Sequence, residues 1–223
     1  MIKGILFDFD GVLFNSEAPF VRERVEFLDH INSPLPRERL GLLICTDNSV
    51  DIYAKMLEGY EDQIDKEEFK RSMKEYVDEK YGDLILKDLI FPDVKPILEW
   101  LKKKGYKIAC ASRSDMEYIG KALSESGIID YFDVVASGAD FTRNKPDPEC
   151  YLYCMRYLGL DRDECLIVED SPNGIKAARN AGIRVVVRKE YEIGLDQSGA
   201  DYYLDTYDEL PAIIADIDSN NKQ

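Results

Sequence analysis

The chain holds a single histidine, His30. A Ser-His-Asp or Cys-His mechanism would therefore rest on that one residue, which weakens both. Cysteine is also sparse. Cys45, Cys110, Cys150, Cys154 and Cys165 are odd in number and contain no Cys-x-x-Cys pair. That argues against a zinc site or a disulfide framework and for a reducing, cytoplasmic setting. Long apolar runs are missing too: stretches such as 40–45 fall far short of the roughly 20 residues that span a bilayer. Residues 1–10 show neither a basic start nor a cleavage site, so no signal peptide is expected. Basic residues are outnumbered, 29 against 44 acidic, for a formal charge of −15. Such a surface repels nucleic acid and anionic membranes, so neither is an expected partner. If the substrate is a phosphate ester, positive charge must then be supplied locally, by a divalent cation and a well-placed lysine.

What is present points to a folded enzyme. Apolar residues make up 45 % and aromatics 11 %, enough for a sizeable core, and 223 residues suit one large domain or one domain with a smaller insert. The apolar run 2–9 ends in Asp10-Gly11 and reads as a buried strand. From 17 to about 81, charged and apolar residues alternate at helical spacing, which predicts several amphipathic helices and no strands. Beyond 91, strands over 106–111, 132–136, 165–168, 183–187 and 202–204 alternate with helices over 96–104, 116–126, 148–158, 172–181 and from about 207. The tail 219–223 reads as frayed. Repeated strand–helix units with near-continuous apolar strands indicate a doubly wound parallel α/β sheet. A small helical cap would be inserted after the first strand, with core residues 1–15 and 87–223 and cap residues 16–86.

Ligands of open α/β sheets bind at the carboxyl ends of the strands, and every such end here carries polar residues. They are Asp8-Phe9-Asp10-Gly11, Ser112-Arg113-Ser114-Asp115, Arg143-Asn144-Lys145-Pro146 and Glu169-Asp170-Ser171-Pro172. Of the paired carboxylates Asp8 and Asp10, one can attack phosphorus and the other can protonate a leaving oxygen. Gly11 permits a sharp turn between them. Asp8, Asp170 and Glu169 packed together would repel one another unless a hard cation such as Mg²⁺ joined them. Lys145 would add fixed positive charge. The Ser112 hydroxyl and backbone amides near Phe9 and Gly11 would hold phosphoryl oxygens.

Asp8-Phe9-Asp10-Gly11-Val12-Leu13, Ser112, Lys145-Pro146-x-Pro148 and Glu169-Asp170-Ser171-x-x-Gly174 together resemble, in order, the four motifs of the haloacid dehalogenase-like hydrolase superfamily. The resemblance is nearest to the helical-cap subgroup that includes phosphoglycolate phosphatase and β-phosphoglucomutase. It implies a Rossmann-like core and an aspartate nucleophile at Asp8 with acid/base work at Asp10. It also implies Mg²⁺ held by Asp8, the Asp10 carbonyl and Asp170, and phosphate contacts from Ser112 and Lys145. Glu169 beside Asp170 resembles the phosphoglucomutase arrangement, in which both carboxylates serve the metal. Arg113 is grouped with the phosphate contacts, although on its own it reads as surface or support.

Each feature also has a plain structural explanation. A lone Asp-x-Asp-Gly is usually a turn, and Ser112 or Ser114 could simply cap the helix that follows. A lysine in a Pro-rich loop is usually solvated. Cys150 and Cys154, one helical turn apart, read as core, and His30 and Lys102–Lys104 read as solvated helix ends. The four ordered motifs outweigh these. The expected activity is hydrolysis of a small phosphorylated metabolite through an aspartyl-phosphate on Asp8, by a monomer. A phosphosugar mutase is the alternative, disfavoured because Phe20 stands where that family has a histidine and because 41–47 lacks its arginine. A non-enzymatic phospho-acceptor is the alternative from another class, disfavoured by Asp10. Ser16, Glu17, Phe20, Thr46, Asp47 and Asn48 are the candidate residues for selecting the leaving group.

Overall fold

Strand β1 (Gly4–Phe7) sends alternate side chains to opposite faces, and both faces are covered. Ile5 and Phe7 join one apolar cluster, and Leu6 joins the other. A strand buried on both sides must be apolar throughout, which is why it reads as an unbroken run. The computed structural model describes residues 1–33, 52–57, 65–81 and 86–221. Within them follow β2 (Lys107–Ser112), β3 (Val134–Ser137), β4 (Cys165–Glu169), β5 (Arg184–Arg188) and β6 (Tyr202–Leu204). All pair in parallel, in the order β3-β2-β1-β4-β5-β6. The order reverses beside β1, so the crevice for a ligand opens at the carboxyl ends of β1 and β4.

The helices are α1 (Glu17–His30), α2 (Ile52–Met56), α3 (Lys66–Tyr81), α4 (Val94–Lys103), α5 (Met116–Glu125), α6 (Glu149–Tyr157), α7 (Pro172–Ala181) and α8 (Leu210–Asn220). Leu98 and Leu101 of α4, Ile119 and Leu123 of α5, and Ile214 and Ile217 of α8 bury against the face of Ile5 and Phe7. Tyr151 and Cys154 of α6 and Ile175 and Ala178 of α7 bury against the face of Leu6. The sheet is doubly wound, as the strand–helix grammar predicts.

Several boundaries shift by one to three residues from expectation, and three of them are instructive. Helix α4 starts at Val94 rather than Pro96; a proline in the first turn costs nothing there, because its missing N–H would have no intrahelical partner. Strand β3 starts at Val134 rather than 132: a 3₁₀ turn over Ile129–Tyr131 precedes it, and Phe132 and Asp133 connect the two. Helix α8 runs to Asn220 instead of fraying at 219, and Ser219 Oγ donates to Ala215 O at 2.8 Å.

Helices α1, α2 and α3 hold a cluster of their own, made by Phe27, Leu28, Met56, Leu57 and Phe69. The Phe27 and Phe69 rings meet edge-on at 5.3 Å. No strand occurs among the described residues from 16 to 86. The chain leaves and re-enters the α/β core through a narrow neck, where Phe14 bridges Ile90 antiparallel. Asn15 N donates to Leu89 O at 2.7 Å, and Phe91 N donates to Leu13 O at 3.1 Å.

Candidate active site

Asp8 extends β1 by one ladder bond, its N–H donating to Val168 O at 2.9 Å. The chain then turns, because the N–H groups of Leu13 and Phe14 both return to Phe9 O. Phe9 itself is fully buried and stacks on Phe14. Asp8 is 9 % exposed and Lys145 3 %. Lys145 comes from the loop after β3, where the Lys145–Pro146 peptide is cis. Its Nζ donates to Asp8 Oδ1 at 2.5 Å, Glu169 Oε1 at 2.8 Å and Ala111 O at 2.9 Å. All three ammonium protons are used, so this is not a solvated lysine. Burial opposes its charge, yet Asp8 and Glu169 outweigh that and raise its pKa.

Glu169 closes the arrangement from β4. Its Oε1 also accepts from Tyr151 Oη at 2.6 Å. Its Oε2 accepts from the Asp170 and Ser171 amides at 3.0 and 3.1 Å and from Ser171 Oγ at 3.1 Å. Burial works against its charge, but Lys145 and these bonds hold its pKa below the usual carboxylate range. The next residue has no such support. Asp170 Oδ2 is buried without a hydrogen-bond partner. Burial and the charges of Glu169 and Asp8 push its carboxyl well above its ordinary value. Asp8 is raised to about 7, by burial first, with Glu169 adding and Lys145 opposing.

Asp8, Glu169 and Asp170 each offer an oxygen, all within 4.8 Å of one another. Among the described residues Lys145 is the one cation bonded to this group, so negative charge there exceeds positive. An orphaned buried oxygen among crowded carboxylates fits a hard divalent cation with oxygen ligands, such as Mg²⁺.

Glycine makes this crowding achievable. A Cβ on Gly11, whose φ is +75°, would lie 2.0 Å from Asp170 Oδ2. The Gly11 N–H donates to Phe14 O at 2.8 Å and is thus engaged within the turn. A Cβ on Gly174, in the first turn of α7, would lie 1.7 Å from Glu169 Oε1 and 2.2 Å from Oε2. Glu169 cannot retreat without breaking its bonds to Lys145 and Tyr151. Gly174→Ala should therefore destabilise the fold by about 3 kcal/mol, the upper range for overpacking. Gly120→Ala, in α5 with nothing within 4 Å of the new Cβ, should stabilise by about 0.5–1 kcal/mol from helix propensity alone. Urea titrations of both variants check this, and equal midpoints would contradict the packing described.

Asp10 faces the other side of the turn. Ser16 Oγ donates to its Oδ1 at 2.5 Å and Ser114 Oγ to its Oδ2 at 2.9 Å. Burial raises its pKa while these two hydroxyls oppose the rise. Ser112 Oγ accepts from Ser114 N at 3.0 Å and is nearly buried. Neither serine caps α5: Asp115 does, accepting from Tyr118 N at 2.8 Å. The capping explanation for Ser112 and Ser114 is thereby corrected, because a β-region Asp directly before Met116 is the better-placed acceptor. Ser171 does cap α7, accepting from Gly174 N at 3.0 Å.

A cleft of about 190 Å³ opens among these groups, and Asp8, Asp10, Ser112, Lys145, Asp170, Arg113 and Glu17 are among the residues that line it. The structure thus brings the sequence-predicted residues together. It adds contacts the sequence did not assign: Tyr151 on Glu169, and Ser16 and Ser114 on Asp10. Their signal lies in contacts between residues 6 to 104 positions apart, which no local pattern carries. Of the residues expected to select the leaving group, Ser16, Glu17 and Phe20 are described, whereas Thr46, Asp47 and Asn48, like segment 41–47 as a whole, lie outside the described residues. Cys110, Cys150, Cys154 and Cys165 are free and buried. Among the described residues no helix is long and apolar enough to cross a membrane.

Comparison with known proteins agrees with this geometry. A family model described as haloacid dehalogenase-like hydrolase matches residues 2–182. YhcW of Bacillus subtilis (strain 168) is 32 % identical over 187 residues, covering 84 % of this chain and 83 % of its own. A phosphoglycolate phosphatase of Nitrosococcus oceani is 26 % identical over 216 residues, 95 % of this chain and 96 % of its own. The crystal structure of β-phosphoglucomutase from Clostridium difficile superposes with a TM-score of 0.76 at 24 % identity, covering all of both chains, and so shares the fold.

Proposed function

We propose, from the premise that the chain belongs to the haloacid dehalogenase-like hydrolase family, that this phosphatase hydrolyses a small phosphorylated metabolite, a sugar phosphate or similar, through an aspartyl-phosphate on Asp8. The observation that carries this is the convergence of Asp8, Lys145, Asp10 and the orphaned Asp170 on one cleft at the sheet's switch point.

In the first step an Asp8 carboxylate oxygen attacks phosphorus. The bond to the ester oxygen breaks, and that oxygen takes a proton from Asp10. Burial favours the protonated form of Asp10 at the start. In the second step ionised Asp10 takes a proton from water as the water oxygen attacks phosphorus. The Asp8–phosphorus bond breaks, inorganic phosphate leaves, and both carboxyl groups are restored. Ser112, Lys145, Arg113 and the amides around Phe9 and Gly11 are the assigned phosphoryl contacts. The Gly11 amide would have to exchange its bond to Phe14 for one. Asp8, the Asp10 carbonyl and Asp170 would hold Mg²⁺. Glu169, with both oxygens saturated, would support them through Lys145 and the turn to Asp170. The bound ion supplies charge neutralisation that lets an anionic nucleophile approach a phosphoryl group.

Residues 16–86 are assigned to a helical cap, on the strength of their separate apolar cluster and the narrow neck. The free buried cysteines support a reducing, cytoplasmic setting.

The direct test is turnover of p-nitrophenyl phosphate with Mg²⁺ and with EDTA. Activity is expected only with the metal. Mg²⁺ at about a hundredfold excess over its Kd should also raise folding stability by about 2.7 kcal/mol. Asp170→Asn should abolish that gain. Absence of turnover across a panel of sugar phosphates, or activity undiminished in EDTA, would refute the assignment.

A further inference from the structure

Asp170 Oδ2 is buried and has no hydrogen-bond partner among the described residues, so no donor fixes that oxygen directly. Its aim depends on the backbone that carries it. Both polar groups of the Asp170–Ser171 peptide are held. Glu169 Oε2 accepts from the Ser171 amide at 3.1 Å, and from the Asp170 amide at 3.0 Å. The Asp170 carbonyl accepts from Gln197 Nε2 at 2.7 Å. Gln197 comes from the segment between β5 and β6, and its side-chain amide is fully engaged. Nε2 also donates to Arg188 O at 2.9 Å, and Oε1 accepts from Glu190 N at 3.0 Å. These partners decide the orientation of the amide: reversed, its oxygen would face two carbonyls and its NH₂ an N–H. The segment itself is built to keep its shape, because the Glu190 carboxylate collects the amides of Glu192, Ile193, Gly194 and Leu195. Packing alone would not fix the turn at Asp170. Together with Gly11, Glu190 and Tyr191, Asp170 borders a second cavity of about 210 Å³, which leaves the turn room to shift once the tie to Gln197 is cut.

Resting on the Mg²⁺ site assigned above, we propose that Gln197 is a positioning residue: by holding the Asp170 carbonyl it aims the Asp170 carboxylate at the divalent cation. It acts through Asp170 and not on the reacting atoms. A ligand that wanders must be ordered when the ion arrives, and that cost is subtracted from binding. Partners that orient a metal ligand from behind are accordingly worth about 10- to 100-fold in metal affinity. Gln197 lies 27 residues beyond Asp170, outside all four sequence motifs. The segment between β5 and β6 thereby becomes part of the metal site without supplying a ligand to it.

The test follows melting temperature against Mg²⁺ concentration, with EDTA as the zero, in the wild type, Gln197→Met, Gln197→Glu and Tyr203→Phe. The rise with Mg²⁺ yields a Kd, and the melt in EDTA reports the fold alone. Gln197→Met removes both donors and the acceptor at similar length. Gln197→Glu keeps the acceptor for Glu190 N and adds a negative charge, which by itself would tighten a cation. Tyr203→Phe is the control for the segment: it removes the bond from Tyr203 Oη to Gln197 O, 3.0 Å long, and spares the Gln197 side chain. The Mg²⁺ Kd should weaken about tenfold or more in both Gln197 variants and stay within about twofold of the wild type in Tyr203→Phe. A residue that merely ties the segment down predicts another result, a lower melt in EDTA with the Kd unmoved, and an unmoved Kd in either Gln197 variant overturns the proposal. Equal weakening in Tyr203→Phe overturns it too, since the segment and not the amide would then set the site. Should Gln197→Met fail to fold, Gln197→Glu decides alone. A wild type that gains no stability from Mg²⁺ refutes the metal site, and the role of Gln197 with it; a wild type that binds Mg²⁺ beside variants that bind it equally well refutes the role of Gln197 alone.

Discussion

Asp8→Asn protein should lose at least about 10⁴-fold in kcat, the scale seen when a covalent nucleophile is removed, while melting no lower than a few degrees below the wild type. Two structural facts separate chemistry from stability here. The Asp8 carboxyl, the proposed nucleophile, is one that burial already pushes toward neutrality, with a pKa of about 7. Lys145, deprived of Asp8's charge, still has Glu169 and Ala111 O. Asparagine keeps the shape and an acceptor and removes one of three crowded negative charges. Steady-state kinetics with circular dichroism melts check both halves. Retained activity would exclude Asp8 as the nucleophile, and a collapsed melt would show that its charge, not its reactivity, is what the fold requires.

Lys145→Met should have the opposite profile, costing both activity and the fold. Removing one member of a buried ion pair leaves the partner charge uncompensated, and such cuts cost about 3–5 kcal/mol. Here two buried carboxylates, Asp8 and Glu169, lose their common cation, with Asp170 close by. At the lower end, about 3 kcal/mol corresponds to a fall of roughly 6–12 °C in Tm for a chain of this size. The loss should shrink when Mg²⁺ is added, since a second cation then shares the site. It should also shrink at lower pH, where Asp8 and Asp170, both raised, take up protons and no longer need a counter-charge. A Lys145→Met protein melting within a degree of the wild type in EDTA at neutral pH would disprove the central place given to this ion pair.

The strand ends were legible because burial on both faces writes an unbroken apolar run, and the first polar residue after it marks the sheet edge. Asp8, Ser112 and Glu169-Asp170 are found where that rule places them. Ser171-Pro172 was legible as a helix start for an equally local reason, a capping hydroxyl followed by a residue with no N–H to satisfy. Less was legible where several local partners competed. Three candidate caps, Ser112, Ser114 and Asp115, stand within four residues, and only the backbone conformation at Asp115 decides among them. Long-range partners left no trace at all. Tyr151 reads as a core aromatic of α6, and its bond to Glu169 depends on which face of the sheet α6 covers. The same holds for Arg188, which lies 3.8 Å from the centre of the Phe91 ring and pairs with Asp93 at 3.1 Å. Nothing in the local sequence joins residues 95 positions apart.

The neck at 13–15 and 89–91 has a consequence for how such a chain can change over time. Because Asn15 donates to Leu89 and Phe91 to Leu13 across it, the segment between is, for the sheet, a loop whose ends are already met. Closing a loop costs only about 0.6 kcal/mol more for each doubling of its length. Insertions, deletions or whole replacements in that segment are thus nearly free for the sheet, provided the two crossing strands of the neck survive. The carboxylates and Lys145 can stay fixed while that segment drifts, so one chemistry can be inherited unchanged beside a succession of different inserts. Exchanging residues 16–88 with those of a related enzyme should then transplant preference without rebuilding the reaction.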